Sequence, residues 1–87
     1  MSRSYRVLLR PAAVRDLDRL SGPLFDQVTA ALRRLQSNPL HKGAKKLSQR
    51  RNQWRLRVRD HRVLYEVNDG AQTVLVFRVR HRSQAYR

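Results

Sequence analysis

The chain has 87 residues, with 20 Lys plus Arg against 6 Asp plus Glu, and its formal net charge is +14. This length predicts one domain over residues 1–87, and a hydrophobic content of 40% can fill a single modest core. No apolar run approaches the ~20 residues of a membrane span, and the N-terminal residues lack the apolar core of a signal peptide, so the sequence predicts a cytoplasmic protein with no membrane partner. The absence of cysteine excludes disulfides, thiol nucleophiles and thiolate zinc sites.

The positive charge is concentrated in the second half of the chain. Residues 41–87 carry a net charge of +10, against +4 for residues 1–40, and Arg outnumbers Lys by 17 to 3. Arginine makes forked contacts with phosphate, and a field of this strength attracts polyanions. The composition therefore favours nucleic acid as a partner, because a surface that only confers solubility needs a net charge of ~2 to 8.

The first half of the chain predicts a strand and two helices. Residues 5–9 form a short β-prone run, and Pro11 suits the first turn of a helix. The apolar face of this first helix contains Ala13, Val14, Leu17 and Leu20, and its polar face contains Arg15, Asp16, Asp18 and Arg19. A second apolar stripe, which ends before Asn38-Pro39, consists of Leu24, Val28, Ala31, Leu32 and Leu35. Two amphipathic helices in sequence predict a helical hairpin that packs on a sheet.

Residues 40–52 are polar and basic, and we interpret them as a surface loop. Lys45 and Lys46 in this loop could flank a phosphate groove, and an ordinary solvated loop is an equal alternative.

Residues 54–67 predict a β-hairpin with a cationic face. Trp54, Leu56 and Val58 alternate with Arg55 and Arg57, so an extended backbone separates the apolar side chains from the guanidinium groups. Residues 62–67 alternate in the same way, and Asp60-His61 between the two runs predicts a tight turn. This hairpin would bring Arg62 beside Arg55 and Arg57. Arg59 would lie exposed near the turn as part of the binding surface.

The apolar run of residues 73–79 predicts an interior strand covered on both faces, with Arg78 and Arg80 on one side as it leaves the core. The predicted fold class is therefore α+β, in the order β-α-α-β-β-β. In this fold a helical hairpin packs on one face of a mainly antiparallel four-stranded sheet. The other face would be open, concave and basic. We expect it to carry Arg55, Arg57, Arg62 and either Arg78 or Arg80.

In its order of motifs the chain resembles the RelE/ParE superfamily of toxins from type II toxin–antitoxin systems. The matching segments are Arg15-Asp16-Leu17 with Leu20, Asn38-Pro39, Lys46-Leu47, Arg62-Val63-Leu64-Tyr65, His81-Arg82 and Tyr86-Arg87. RelE-like members of this family are endoribonucleases that cut mRNA in the ribosomal A site, and ParE-like members inhibit DNA gyrase. The basic set on the strands favours the RelE-like branch, and gyrase inhibition without nuclease activity is the alternative. The resemblance also implies a cognate antitoxin, the ribosome and mRNA as partners.

The resemblance implies catalytic roles for Arg55 and Arg57 on one strand, for Arg62 on the next, and for Tyr86 near the C-terminus. Either His81 or Arg82 occupies the position of a further catalytic arginine. Where family members have a lysine assigned as the base, this chain has arginine, whose pKa above ~12 leaves almost no neutral base near pH 7.

We therefore expect the arginines to clamp the phosphate and to increase the acidity of the 2′-OH. We expect His81 to transfer protons, and Tyr86 to stack on a base or orient the phosphate. The residues expected to bind RNA without a catalytic role are Lys45, Lys46, Arg59, Arg78 and Arg80. His41 and His61 are expected to be non-catalytic. Because no cluster of acid or cysteine ligands accompanies the histidines, the sequence predicts no metal and no other cofactor.

Overall fold

The computed structural model describes residues 4–40, 44–47 and 52–83, in which two helices pack on one face of a five-stranded sheet. The elements are β1 (Arg6–Leu9), α1 (Pro11–Asp18), α2 (Gly22–Ser37), β2 (Ala44–Lys46), β3 (Gln53–Val58), β4 (His61–Asn68) and β5 (Thr73–His81). The strand order is β1-β5-β4-β3-β2. β1 runs parallel to β5, and the other neighbouring strands are antiparallel. Neither described helix is long and apolar enough to cross a membrane.

The predicted α+β class is confirmed, but the predicted number of strands is wrong. The sheet has five strands rather than four, because residues 44–46, which were expected in a surface loop, pair antiparallel with β3. Ala44 lies opposite Leu56, and Lys46 lies opposite Trp54. Three residues are too few to show an alternating pattern, and this strand exists because β3 offers an edge of backbone donors and acceptors.

The hydrophobic core lies between the helices and one face of the sheet, and its two sides follow different sequence periods. Val28, Ala31 and Leu35 are fully buried on one side of α2, at the helical spacing of three and four residues. Opposite them, Val63 and Tyr65 of β4 are fully buried at the strand spacing of two. The predicted helix stripe and strand alternation are therefore confirmed at these positions.

Tyr65 joins the sheet to the segment that follows α2. Its hydroxyl, at the centre of the core, donates a hydrogen bond to the carbonyl oxygen of Pro39. Burial raises the pKa of the Tyr65 hydroxyl, so the hydroxyl keeps its proton and remains a donor. This hydrogen bond therefore ties the residues that follow α2 to β4.

The β3–β4 hairpin turns one residue earlier than the sequence predicted. The turn residues are Arg59 and Asp60, and Val58 pairs with His61. Arg59 adopts a left-handed conformation with a φ of 55°, as the first residue of a tight hairpin turn requires. Arg57 lies directly opposite Arg62, so these two arginines are neighbours in the sheet although the turn differs from the predicted one.

β5 contains a β-bulge. Tyr65 of β4 lies opposite Val76, but the preceding residue Leu64 lies opposite Arg78, so Phe77 is an extra residue in β5. The strand is interior, between β1 and β4, as predicted. The prediction that both of its faces are covered is wrong for the described residues, because the helices pack on one face only. Phe77 is partly buried rather than enclosed.

Candidate nucleic-acid interface

A row of three arginines crosses the sheet on the face away from the helices. Arg57 of β3 lies opposite Arg62 of β4, and Arg62 lies opposite Arg80 of β5. Val58, Val63 and Val79, each of which is a strand neighbour of one of these arginines, belong to the buried core. Because successive side chains of a strand point to opposite faces, the three arginines project from the open face. The structure therefore brings together guanidinium groups that are up to 23 positions apart in the sequence.

A second row of residues crosses the same face, two positions along β3 and β4 from the arginine row. Lys45 of β2 lies opposite Arg55 of β3, and Arg55 lies opposite Leu64 of β4. Lys45, Arg55, Arg57 and Arg62 line a shallow cleft of about 140 Å³. The described residues that line this cleft are four cationic side chains, which suit an oxyanion, and guanidinium forks suit phosphate in particular.

Local hydrogen bonds orient two of the cleft arginines. The Nε of Arg57 donates to the carbonyl oxygen of Arg59 at 3.1 Å, and the Nη1 of Arg62 donates to the carbonyl oxygen of His61 at 3.3 Å. The turn backbone thus holds one nitrogen of each fork, and the remaining N–H groups can bind a ligand. The left-handed turn residue Arg59 acts here through its carbonyl oxygen.

The electrostatics of Arg62 show that it lies among other cations. Partial burial lowers the pKa of Arg62, and the positive charges of Arg57, Arg55 and Arg82 lower it further, against an opposing effect of Asp60. Arg82 is therefore close enough to act on this group. We define the cationic cluster as Lys45, Arg55, Arg57, Arg62, Arg80 and Arg82.

His81 does not belong to the cationic cluster. It lies opposite His61, which in turn lies opposite Val58, so the strand register places it on the face of the buried residues Val58 and Val79. The His61 and His81 rings contact each other edge to face, with centroids 5.4 Å apart. The register therefore places His81 on the face opposite to the arginine row, and its role in proton transfer stays a prediction. Arg82, the other residue that the resemblance left open, carries one of the charges that lower the pKa of Arg62, and its catalytic role likewise stays a prediction.

Arg78 is held by an ion pair that the sequence reading missed. Its Nε and Nη2 donate to the two carboxylate oxygens of Asp16 at 2.8 and 3.0 Å. Asp16 was expected on the exposed face of α1, but it is only 7% exposed. The predicted role of Arg78 in RNA binding remains a prediction, although its Nε and Nη2 already donate to Asp16. One acidic residue on an amphipathic helix carries no sequence signal that distinguishes it from a solvated one.

The other predicted site residues take different positions. Lys46 lies opposite Trp54, which packs against the core, so Lys46 and Lys45 project from opposite faces of β2. Arg59 is exposed in the hairpin turn. Tyr86 and His41 lie outside the described residues. Within residues 4–40, 44–47 and 52–83, no three His, Cys, Asp or Glu side chains are grouped so as to hold a metal ion.

Comparisons with known proteins agree with this architecture. The family described as "ParE toxin of type II toxin-antitoxin system, parDE" matches residues 7–86. The chain is 31% identical to a chain of the RelBE2 toxin–antitoxin complex from Mycobacterium tuberculosis, with a TM-score of 0.76, and the match covers 90% of this chain and 98% of that one. A chain of the RelB–RelE antitoxin–toxin complex from Methanococcus jannaschii is 29% identical, with a TM-score of 0.76 and coverage of 91% and 94%.

A chain of the archaeal RelE–RelB complex from Pyrococcus horikoshii has the same fold, with a TM-score of 0.82, 23% identity and coverage of 94% and 99%. A search of curated protein sequences finds no match to the chain.

Proposed function

We propose a function for this chain from the premise that it belongs to the RelE/ParE superfamily of toxins of type II toxin–antitoxin systems and, within it, to the RelE-like branch. The proposed function is that of a ribosome-dependent endoribonuclease. It would cleave mRNA in the ribosomal A site, without a metal ion, by attack of a ribose 2′-OH on the adjacent phosphate. The bond from the 2′-oxygen to phosphorus would form as the bond from phosphorus to the 5′-oxygen breaks, with water accepting the proton of the 2′-OH and donating one to the leaving 5′-oxygen. The observation that carries this proposal is the arginine row Arg57, Arg62 and Arg80 on the open face of the sheet.

The first chemical requirement of this reaction is stabilisation of a dianionic phosphorane. Guanidinium groups on adjacent strands can donate to different oxygens of one phosphate, because neighbouring strands lie ~4.8 Å apart. The Nε of Arg80 is buried and has no hydrogen-bond partner among the described residues, so the terminal nitrogens of this guanidinium are the ones that would donate to a phosphate. Donors that are already in place before charge develops are the most effective form of electrostatic catalysis.

The second requirement is proton transfer, and the cationic cluster contains no histidine or carboxylate for it. Arginine stays protonated, so Arg55, Arg57 and Arg62 would act by increasing the acidity of the 2′-OH rather than as bases. The ribosome would hold the mRNA in line for attack and so supply much of the rate. By the family resemblance, Tyr86 would stack on a base or orient the phosphate.

The proposed protein partner is a cognate antitoxin. Similar chains from M. tuberculosis and M. jannaschii were solved in toxin–antitoxin complexes. A chain with a net charge of +14 favours an acidic partner that neutralises part of this charge. The ribosome and mRNA complete the proposed set of partners, which includes no small molecule.

A second candidate function is inhibition of DNA gyrase. The observation in its favour is the match of the ParE toxin family over residues 7–86. This function would require binding to a protein and no cleavage of RNA. It would leave the cationic cluster without a chemical role.

One experiment separates these functions. Purified protein is added to programmed ribosomes, mRNA ends are mapped by primer extension, and gyrase supercoiling is measured in parallel. Breaks within A-site codons support the nuclease, and intact mRNA with inhibited supercoiling supports the gyrase inhibitor. Intact mRNA together with unaffected supercoiling would contradict both proposed functions. It would favour a module that only binds RNA electrostatically, and such binding weakens steeply as the salt concentration rises.

Substitutions test the site within the same assay. Arg62→Ala and Tyr86→Ala should each reduce cleavage while the protein stays folded. Arg33→Ala is the matched control, because Arg33 is an exposed arginine of α2 on the helical side of the molecule. Wild-type cleavage by both site variants would contradict the site assignment.

A further inference from the structure

Among the described residues, no strand neighbours the end of β5 on the side of β1. β1 pairs with Thr73 to Val76 only, and the last backbone hydrogen bond on this side runs from the Arg10 N–H to the Val76 carbonyl oxygen at 2.9 Å. β5 continues to His81, with its outer edge beside α1. Unpaired backbone donors at such an edge need another partner.

The carboxylate of Asp16 on α1 supplies that partner. Its Oδ2 accepts a hydrogen bond from the backbone N–H of Val79 at 2.9 Å, and both of its oxygens accept from the guanidinium of Arg78. Burial on its own would raise the pKa of Asp16, but these hydrogen bonds and the charges of Arg78 and Arg80 outweigh it, so the net pKa is lowered. The group is therefore an ionised carboxylate held by three donors.

Arg78 and Val79, the two residues that Asp16 binds, follow Phe77, the extra residue of the bulge. In an uninterrupted strand, Val76, residue 78 and Arg80 would all face the core, because side chains alternate with a period of two. The extra residue Phe77 shifts this alternation by one, so Val79 faces the core and Arg80 lies opposite Arg62 on the open face. A register shift of one residue moves every following side chain to the other face.

We propose that Asp16 is a positioning residue for the cationic cluster: its carboxylate holds the β5 bulge and thereby keeps Arg80 and Arg82 on the open face. At the far end of this segment, the Arg82 N–H donates to the Asp60 carbonyl oxygen at 2.6 Å. The segment that carries both arginines is thus anchored at both ends. The expected effect of Asp16 on cleavage rests on the proposed function, but its expected effect on the positions of Arg80 and Arg82 does not.

The structural consequence is tested by NMR on the purified full chain. In Asp16→Ala, the Val79 amide should lose its protection from hydrogen exchange, and the backbone signals of Arg80 and Arg82 should shift. Val28→Ala is the matched control, because it destabilises the core through a fully buried residue of α2, whereas Asp16 lies on α1, the helix that contacts β5. Signals of Arg80 and Arg82 that move no more in Asp16→Ala than in Val28→Ala would overturn the proposal, whether or not the protein is a nuclease.

The functional consequence is tested by separating turnover from binding on programmed ribosomes. Because a displacement of ~1 Å can cost about 100-fold in rate, Asp16→Ala should reduce kcat by roughly that factor, with a KM close to that of the wild type. Val28→Ala should keep its kcat once the folded fraction is taken into account. If Asp16→Ala does not fold, Asp16→Asn keeps one acceptor oxygen for Val79 and should show the same changes to a smaller degree. An unchanged kcat in a variant with shifted Arg80 and Arg82 signals would overturn the positioning role.

A wild-type protein that cleaves no mRNA would refute the proposed nuclease function. In that case the NMR comparison still decides whether Asp16 holds the bulge.

Discussion

Replacing Arg62 by Gln should stabilise the protein and strongly reduce its proposed activity. Arg62 lies between Arg57 and Arg80 on the neighbouring strands, and like charges directly opposite each other destabilise a sheet by roughly 0.2–1 kcal/mol per pair. The two pairs together amount to roughly 0.4–2 kcal/mol, and loss of the 3.3 Å bond from Arg62 to the His61 carbonyl oxygen offsets about 0.5 kcal/mol. The net gain of about 0.7 kcal/mol corresponds to a rise in Tm of roughly 3–6 °C for a domain of this size.

Salt distinguishes this cause from any other gain in stability. Repulsion between exposed charges is screened at 1 M salt, where the Debye length is about 3 Å, so the difference in Tm between Arg62→Gln and the wild type should shrink. Cleavage on programmed ribosomes should fall by about 100-fold or more, because a preorganised donor to the phosphorane is lost. Arg33→Gln on α2 removes the same charge from the other side of the molecule and should keep activity. The reasoning is refuted if Arg62→Gln melts below the wild type at low salt, or if it cleaves normally.

Three further predictions concern buried polar groups, each measured by denaturation. Tyr65→Phe leaves the Pro39 carbonyl oxygen without its donor and should cost about 1–3 kcal/mol of unfolding free energy; an unchanged Tm would contradict this. The pKa of Asp16 is lowered: burial opposes the charged form, but the bonds from Arg78 outweigh it. The ionised Asp16 carboxylate therefore contributes its full stabilisation above ~pH 4, and this stabilisation is lost as the pH falls through the lower pKa of the folded state. Asp16→Asn should lack this loss of unfolding free energy in acid. Burial lowers the pKa of His61, so the unfolded chain binds the proton more readily than the folded one. The free energy of unfolding should therefore fall as the pH drops below ~6.5. Equal slopes of this free energy against pH in the wild type and His61→Asn between pH 5 and 7 would refute this.

Local patterns were enough to predict most of the architecture and part of the site. The spacing of Val28, Ala31 and Leu35 identified the buried side of α2, because a helix repeats every 3.6 residues whatever surrounds it. The alternation across β3 and β4 likewise placed Arg57 and Arg62 on one face, since strand side chains alternate by geometry alone. The hairpin could turn one residue earlier than predicted without separating this pair, because both arginines are close to the turn.

The remaining features depend on contacts between distant parts of the chain, and no local pattern encodes them. β2 forms only because the edge of β3 is available to it, and the burial of Asp16 follows from the docking of α1 against β5. The face on which Arg80 lies is decided by the bulge, because one extra residue reverses the alternation of everything that follows it. The sequence by itself therefore determined that two helices would cover one face of the sheet and that the other face would be strongly cationic. Only the tertiary structure decided which residues of β5 join it, because strand register is a property of pairing and not of either strand alone.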